Sequence, residues 1–396
     1  KNWKNLEAPK KMSPPLHISN TSSLVPGKNE NSIVISGISI GLPGIDDVFD
    51  PEGFDILLSG KNLIDPIPEE VRQDMLDKQI TRLVKTEDGG GRFEKVQNFE
   101  DLPQLAGQLR NFNLEEWGLE KSYISSLDIS TQLAIAATYS ALSDAGLPLF
   151  PEEKTSKTGK RTIRSWKLPE GIANRTGVIF ASCFPGFNQT IQNVLDNGDD
   201  GNGQFDRRYL FQVLTMGHSQ VAQLIGARGP NLHTNNACAS GASAFAIAED
   251  WINSNRCDRV IIATADDVTS SIALPWIGSG FAASGAASTS SIVEEAALPF
   301  DARRNGLILG AGASAFILER DELAAKRGIL PYVKLIGAEI LNSAFHGTRL
   351  DVNHVAEQVS SFTERMAKEV GSTPEEIAPK TLFMSHETYT PKRGGS

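Results

Sequence analysis

A cysteine between a strand pattern and a helix pattern constrains this chain more than any other feature. Residues 231–237 are predicted to be extended, and Cys238 follows them directly. After it, Phe245, Ala248 and Trp251 recur at helical spacing. The first N–H groups of a helix are unpaired, and the helix dipole adds partial positive charge there. Both effects favour a thiolate, so Cys238 is predicted to be a nucleophile.

The alternative for Cys238 is a buried cysteine that packs as a small apolar side chain. Cysteine is among the residue types most often buried in proteins. Its neighbours here are small, which would leave the sulfur open to a substrate: Ala237, Ala239, Ser240 and Gly241. We therefore favour the nucleophile, and we treat Cys183, which follows another predicted strand, as the competing thiol.

Composition and charge argue against several classes of protein. The 396 residues can bury a large core, since 40% of them are hydrophobic. A net charge of −10 argues against a main task in nucleic-acid binding. No apolar run reaches the ~18 residues of a membrane span, and residues 1–16 lack the apolar stretch of a signal peptide. Three scattered cysteines favour a reducing, cytoplasmic location and argue against a zinc site.

Hydrophobic patterning predicts strands that alternate with helices, which is typical of a parallel-rich α/β architecture. Strands are predicted at 33–40, 176–181, 259–265, 313–318, 332–340 and 381–384. Helices are predicted at 54–58, 127–142, 209–225, 321–327 and 355–370. The segment 71–99 is predicted to hold surface loops and short elements, and the segment 278–291 is predicted to be flexible.

Residues 236–244, Asn-Ala-Cys-Ala-Ser-Gly-Ala-Ser-Ala, resemble the nucleophile motif of the β-ketoacyl synthases, the condensing enzymes of fatty-acid and polyketide synthesis. Other segments resemble marks of the same family and occur in the family's order. They are residues 33–44, 128–146, 299–306, 310–313 and 385–390. As an ordered set these motifs are highly specific.

The resemblance implies a fold and a division of the chain. The fold would be α/β and thiolase-like, with five layers, αβαβα, built from two similar halves and paired into a homodimer. Residues 1–31, rich in proline, would be a linker or arm, either a tail or a join to an upstream module of a larger multidomain synthase. An N-terminal ketosynthase half would span 32–300, and a partial C-terminal half 301–396.

The resemblance also implies an activity. Cys238 would accept an acyl group, which would then undergo decarboxylative Claisen condensation with malonyl carried by an acyl carrier protein. The substrates would be acyl and malonyl thioesters. No cofactor or metal would be bound directly, because the phosphopantetheine arm belongs to the carrier protein.

Two histidines compete for the role of stabilising the enolate that decarboxylation forms. Residues 346–348 contain a literal His-Gly-Thr, whereas 385–390 read Ser-His-Glu-Thr-Tyr-Thr. The second segment follows the predicted strand at 381–384, as the family order requires. We therefore favour His386 and interpret His346 as an ordinary loop residue.

The chain departs from the family pattern in three places. Glu387 and Tyr389 stand where the family has glycine, so the loop must tolerate Cβ atoms. Residues 310–313, Gly-Ala-Gly-Ala, carry alanine where the family usually has an acidic residue. The family's conserved lysine, second catalytic histidine and glycine-rich loop would follow Ser396, so we expect a fragment of a longer synthase.

Two other functions stay open. A non-condensing relative would use Cys238 only for acyl transfer or thioester hydrolysis. A catalytically silent partner would bind acyl chains or set chain length, although such partners usually replace the cysteine.

A cluster of basic residues interrupts the family pattern between 151 and 174. Its members are Lys154, Lys157, Lys160, Arg161, Arg164 and Lys167. Charge runs of this kind are usually solvated loops. The alternative is a docking surface for the acyl carrier protein, since carrier proteins are acidic.

Overall fold

The computed structural model of the protein describes residues 32–390 except 86–89, 156–158, 160, 198–208, 214–215 and 346–349. The predicted arm at 1–31, Lys157, Lys160 and His346 lie outside these described residues. The strands are β1 (Ile33–Gly41), β2 (Asp65–Pro66), β3 (Thr81–Lys85), β4 (Gly91–Lys95), β5 (Leu105–Gly107), β6 (Phe150–Thr155), β7 (Arg161–Lys167), β8 (Thr176–Ala181), β9 (Asn231–Thr234), β10 (Arg259–Asp267), β11 (Leu309–Arg320) and β12 (Val333–Leu335).

The helices follow the same chain order. They are α1 (Gly53–Leu58), α2 (Glu69–Leu76), α3 (Lys121–Ile124), α4 (Ile129–Asp144), α5 (Glu170–Ala173), α6 (Phe187–Asn197), α7 (Tyr209–Val213), α8 (Gly217–Ile225), α9 (Ser240–Asn253), α10 (Leu274–Ala283), α11 (Val293–Ala296), α12 (Asp321–Lys326), α13 (Val352–Glu369) and α14 (Pro374–Ile377).

A central sheet has the strand order β12-β1-β11-β10-β8-β9, and the short strands β5 and β2 extend it beside β11. β8, β9 and β10 are parallel, whereas β1, β11 and β12 pair antiparallel. The expected parallel-rich sheet is therefore mixed. The reason is that residues 268–308 bring the chain back to the end of the sheet at which β10 finished, so β11 runs in the opposite direction.

Helices cover both faces of this sheet. On one face, α4 and α8 form a cluster with Phe180, Ala263 and Ala315. On the other face, α9 packs on Ile179 and Ile262. These two sets alternate along β8 and β10, because successive side chains of a strand point to opposite faces. The described residues therefore form the layers αβα.

The helix predicted at 127–142 lies at Ile129–Asp144 and packs closely on β1. Asp128 begins it, because its carboxylate accepts the N–H of Ser130 at 2.9 Å and the hydroxyl of Thr131 at 2.6 Å. A Cβ atom at Gly37 of β1 would lie 2.4 Å from the carbonyl oxygen of Ala141. Glycine at this position thus sets the distance between α4 and the sheet.

Several predicted boundaries were wrong. The single helix predicted at 209–225 is divided into α7 and α8. The flexible segment predicted at 278–291 begins inside α10, whose buried Leu274 and Ala282 pack with Met75 of α2. In these two cases burial against a neighbour decided the structure, and local composition did not show that neighbour. The short elements predicted among loops at 71–99 are present, as most of α2 and the β3–β4 hairpin.

The C-terminal half is less ordered than its pattern predicts. Residues 381–384, predicted as a strand, pair with no other strand in the described part of the chain. Leu382, Phe383 and Met384 are 83%, 72% and 80% exposed. The strand predicted at 332–340 is only β12, which joins the first sheet through β1. The second sheet of a five-layered arrangement is thus not formed among these residues, and the division at 300 stays a prediction.

The basic segment is not the predicted solvated loop. β6 and β7 form an antiparallel hairpin, with a register shift after Glu152. Trp166 of β7 is buried, and its indole N–H donates to the carbonyl oxygen of Trp117 at 3.0 Å. Its backbone N–H donates to the hydroxyl of Tyr139 on α4 at 3.2 Å. The apolar Trp166 therefore anchors the hairpin to the core, although the charges around it suggested a loop.

One fully buried carboxylate joins β1, β10, β11 and the end of α12. Glu319 accepts hydrogen bonds from Arg259 at 2.6 Å, from Arg327 at 2.9 Å and from the hydroxyl of Ser36. Burial alone would raise the pKa of Glu319. The two guanidinium groups and the Ser36 hydroxyl more than offset this effect, so the pKa lies below its usual value.

We predict that Glu319→Gln lowers the free energy of unfolding by about 3 kcal/mol, because two largely buried guanidinium groups lose their counter-charge. The matched control is Glu322→Gln on α12, which removes an exposed pair with Lys326 that contributes about 0.5 kcal/mol. Urea unfolding measures both changes. Since the folded pKa of Glu319 is lowered, its contribution is present above the unfolded pKa and is lost as pH falls through the folded pKa. Equal losses in the two variants would contradict the role of Glu319.

Candidate functional site

A cavity of about 590 Å³ opens at one end of the central sheet. It lies where β1, β8 and β10 end, where β11 begins, and beside the start of α9. Its polar and thiol groups belong to Ser182, Cys183, Cys238, Ser240, Thr264 and Asp266. Leu42, Phe245 and Phe316 contribute apolar walls. The cavity thus combines candidate nucleophiles with space for an apolar chain.

Cys238 lies between the end of β9 at Thr234 and the start of α9 at Ser240, which confirms the predicted strand-to-helix junction. The preceding residue, Ala237, has φ of +50°, a left-handed conformation that costs about 1–2 kcal/mol. The Ser240 hydroxyl supports this turn, since it accepts the N–H of Asn236 at 2.9 Å and donates to the carbonyl of Ala237 at 2.6 Å. The turn leaves Cys238 exposed.

A second loop, residues 182–184, lies against the turn that carries Cys238. Asp266, near the end of β10, accepts the hydroxyl of Ser182 at 2.7 Å and the N–H groups of Cys183 and Phe184 at 2.8 and 2.9 Å. Burial raises the pKa of Asp266 against the opposing effect of these donors. The carboxylate is therefore used to hold this loop.

His233 and Asn235, which precede Cys238 in the chain, also contact the 182–184 loop. The side-chain amide of Asn235 donates to the carbonyl oxygen of Cys183 at 3.0 Å. Nε2 of His233 lies 3.0 Å from the carbonyl oxygen of Ser182, so this nitrogen carries the proton. Burial lowers the pKa of His233, which favours its neutral form. His233 thus acts as a structural donor in this arrangement.

The three thiols differ in environment. Cys238 is exposed, Cys183 is half-buried and Cys257 is buried. Burial and then the charge of Asp266 raise the pKa of Cys183, whose thiol donates to the carbonyl of Ala237 at 3.1 Å. Burial raises the pKa of Cys257 to about 11. Of the three thiols, Cys238 is therefore the one best placed to react, as the sequence predicts.

His386 lies in an exposed stretch, and the described residues that line the Cys238 cavity do not include it. The structure therefore does not bring the two predicted catalytic residues into one cavity. The catalytic roles of Cys238 and His386 stay predictions. The departure at residues 310–313, where alanine replaces the family's acidic residue, does lie at the cavity, since Ala311 and Ala313 line it.

The loop around His386 shows how side chains replace the family's glycines. Tyr389 has φ of +59°, a conformation that glycine adopts more easily. The carboxylate of Glu387 accepts the backbone N–H of Tyr389 at 2.8 Å and lies 3.9 Å from the guanidinium of Arg304. The side chain of Glu387 is 5% exposed, so this carboxylate lies inside the loop and stabilises the turn. The expected path that tolerates Cβ atoms is therefore not what Tyr389 adopts, since its left-handed conformation strains a side chain.

Sequence reasoning missed the role of Asp266. Asp266 and Asp267 directly follow the apolar strand predicted at 259–265, and the strand pattern alone gives them no role beyond ending it. The signal that could have identified it is the position of an acidic residue at the end of a buried strand, where parallel strands bring their polar ends together. The partner loop, 182–184, likewise directly follows a buried strand, β8.

The described residues show neither a metal site nor a membrane-spanning helix. In the part of the chain that the structure describes, no three His, Cys, Asp or Glu side chains lie together as a metal site would require. Within the same residues, no helix combines the length and the apolar character needed to cross a membrane.

Comparison with known sequences identifies similar proteins. A family model for the β-ketoacyl synthase N-terminal domain matches residues 30–324. The 3-oxoacyl-[acyl-carrier-protein] synthase 2 of Staphylococcus aureus (strain COL) is 27% identical over 299 residues, which cover 74% of this chain and 64% of that protein. The chloroplastic 3-oxoacyl-[acyl-carrier-protein] synthase I of Arabidopsis thaliana is 25% identical over 339 residues, 85% of this chain and 65% of that protein. The chain thus spans slightly less than two thirds of these relatives.

One solved structure has a fold similar to that of this chain. It is a type II polyketide synthase acyl-carrier protein in complex with its ketosynthase bound to the hexaketide. The TM-score is 0.65 at 20% identity, with 92% of this chain and 75% of that chain covered. The likeness confirms the predicted thiolase-like α/β fold.

Proposed function

The chain belongs to the β-ketoacyl synthase family, and from this premise we propose that it condenses an acyl group on Cys238 with malonyl carried by an acyl carrier protein. The Cys238 sulfur attacks the acyl thioester and releases the first carrier thiol. Loss of CO₂ from the malonyl thioester leaves an enolate. Its carbon bonds to the acyl carbonyl and expels the Cys238 thiolate. The pathway is fatty-acid or polyketide synthesis.

The observation that supports this proposal is the exposed thiol in a cavity with apolar walls. Cys238 is the exposed one of the three cysteines, and Phe245 and Phe316 line the same cavity. An acyl chain bound to the sulfur can bury its carbon atoms there. Burial stabilises the bound chain by roughly 0.8 kcal/mol for each CH₂ group. The small residues Ala311 and Gly312 leave space beside the thiol.

Cys238→Ala tests the first step. The wild-type chain incubated with an acyl-CoA should gain the mass of one acyl group on Cys238, and malonyl-acyl carrier protein should then convert it to a β-ketoacyl product. The variant should give neither, because it lacks the sulfur that carries the chain. Cys183→Ala is the control for the other thiol of the cavity. It should still gain the full acyl mass because it keeps the Cys238 sulfur, although at a lower rate because the Cys183 thiol supports the turn at Ala237.

Peptide mass spectrometry and product analysis separate the possible functions. An acyl adduct that only hydrolyses or transfers would favour the non-condensing alternative. The absence of any adduct in the wild-type chain would favour the silent acyl-binding partner and would contradict the proposal.

We propose that His386 donates a hydrogen bond to the malonyl thioester carbonyl and so stabilises the enolate. His386→Ala should lower the rate of malonyl decarboxylation by about 100-fold or more, which is the loss typical for one such donor. Acylation of Cys238 should continue in this variant. His346→Ala is the matched control and should change little. Release of labelled CO₂ measures both variants, and the reverse pattern would assign the role to His346.

The proposed partner is an acyl carrier protein that brings the substrates on its phosphopantetheine arm. Relatives of this chain are named 3-oxoacyl-[acyl-carrier-protein] synthases, and a similar solved ketosynthase is in complex with an acyl carrier protein. Lys154 and Arg164 of the β6–β7 hairpin are exposed and can attract an acidic carrier. Two other cations of the hairpin are already paired, Arg161 with Glu153 and Lys167 with Glu152.

Charge reversal at the hairpin tests this docking surface. The double variant Lys154→Glu/Arg164→Glu should raise the apparent KM for carrier-bound substrate by about 10-fold and leave the reaction with acyl-CoA unchanged. The wild-type preference for the carrier should shrink at high salt, because the Debye length is about 8 Å at physiological ionic strength. The control is Lys326→Glu on α12. An unchanged KM for the carrier in the double variant would exclude this hairpin from docking.

We also propose a homodimer and a cytoplasmic location. β9 is an edge strand of the central sheet in the described part of the chain, and edge strands are open to pairing with a second chain. Val194 and Leu195 of α6 are also 66% and 59% exposed, which leaves apolar surface for a second chain to cover. The location follows from three reduced cysteines, which fit a reducing compartment.

A further inference from the structure

We infer that Asp266 is a positioning residue for Cys238, which it holds through the 182–184 loop. The inference rests on the proposed function of Cys238 as the nucleophile. Asp266 and Cys238 line the same cavity. The two residues belong to different elements, since Asp266 lies near the end of β10 and Cys238 precedes α9.

The first step of the argument is the bond set of the carboxylate. Both oxygens of Asp266 are used, one by the N–H of Cys183 and the other by the hydroxyl of Ser182 and the N–H of Phe184. A carboxylate that accepts several donors fixes their relative positions more strictly than a single bond does. The 182–184 loop is thereby attached to the rigid end of the central sheet.

The second step is the contact between this loop and the segment that carries the nucleophile. Three successive contacts join them: His233 to the carbonyl of Ser182, Asn235 to the carbonyl of Cys183, and the Cys183 thiol to the carbonyl of Ala237. The contacting residues lie progressively nearer to Cys238 along the chain, and the last of them, Ala237, directly precedes it. The loop therefore transmits the position of Asp266 to Cys238.

The third step is the conformation that this arrangement maintains. Ala237 is held at φ of +50°, and residues in such strained positions persist only where their surroundings determine them. The Ser240 hydroxyl supports the turn from the helix side. The Asp266 loop supports it from the opposite side, through Cys183. Loss of this second support should allow Ala237 to relax and the sulfur to move.

Asp266→Asn tests the inference, because an amide places a donor NH₂ group where the carboxylate accepts. The matched control is Asp267→Asn. Asp267 is a neighbouring buried carboxylate, but it accepts from the N–H and hydroxyl of Thr269, at 2.8 and 2.9 Å, and holds a different turn. Both variants should lower the melting temperature, whereas only Asp266→Asn should affect the nucleophile.

Two measurements distinguish positioning from general destabilisation. In Asp266→Asn, amide hydrogen exchange at 235–239 should be at least about 10-fold faster, because local opening becomes easier. The limiting rate of Cys238 acylation should fall by about 10-fold with an unchanged half-saturating concentration, since misplacement by about 1 Å is costly to catalysis. Asp267→Asn should change both by less than about 2-fold. If Asp266→Asn does not fold, Ser182→Ala, which removes one of the three bonds, should shift both quantities in the same direction by less.

The outcomes also separate this inference from the proposed function. If the wild-type chain is not acylated at all, the proposed function fails, and hydrogen exchange still decides whether Asp266 orders the cysteine turn. Exchange at 235–239 that is unchanged in Asp266→Asn, or changed equally in Asp267→Asn, would overturn the inference.

Discussion

The buried pair between Arg259 and Glu319 determines how the central strands align. The two residues face each other across β10 and β11. The Glu319 carboxylate also accepts hydrogen bonds from Arg327 and from the hydroxyl of Ser36. A slip of one residue in this pairing would turn Glu319 to the opposite face, away from all three partners. The desolvation cost of a buried carboxylate makes such a slip expensive. The register of the sheet is therefore specified at this end.

The same register builds the cavity at the other end of the strands. With Arg259 opposite Glu319, Asp266 comes to lie opposite Gly312, and Gly41 of β1 lies opposite Ala313. A Cβ atom at Gly312 would lie 3.0 Å from the carbonyl oxygen of Gly41, so small residues are needed where these strands meet. The absence of side chains there leaves the space in front of the thiol. An ionic network far from the cavity thus helps to define its shape.

The sequence predicted the elements that their own residues specify. Apolar β-branched runs located β8 and β10, and the apolar helical pattern at 127–142 located α4, because these signals are local. The hairpin inside the segment 151–174 was missed because Trp166, which anchors it, contacts Trp117, a residue distant along the chain. The strand predicted at 381–384 has the right pattern, but a strand also needs a neighbour with a free edge, and a pattern cannot supply one.

The same distinction applies to the candidate site. Cys238 could be identified because the strand, the small residues and the helix that surround it are contiguous in sequence. Asp266 could not, since its effect passes through backbone N–H groups of a loop more than eighty residues earlier. Backbone donors carry no sequence signature, because every residue other than proline has one.

In the loop of His386, the strain introduced by one residue that replaces a glycine is offset by a second replacement nearby. Glycine at position 389 would adopt the left-handed conformation without strain, whereas tyrosine does so at a cost. The Glu387 carboxylate offsets that cost locally, since it accepts the N–H of Tyr389 and approaches Arg304. Arg304 belongs to the segment 299–306, another of the family-like motifs. Two departures from the family's glycines are therefore one compensated change, and the backbone can keep its turn although both glycines are absent.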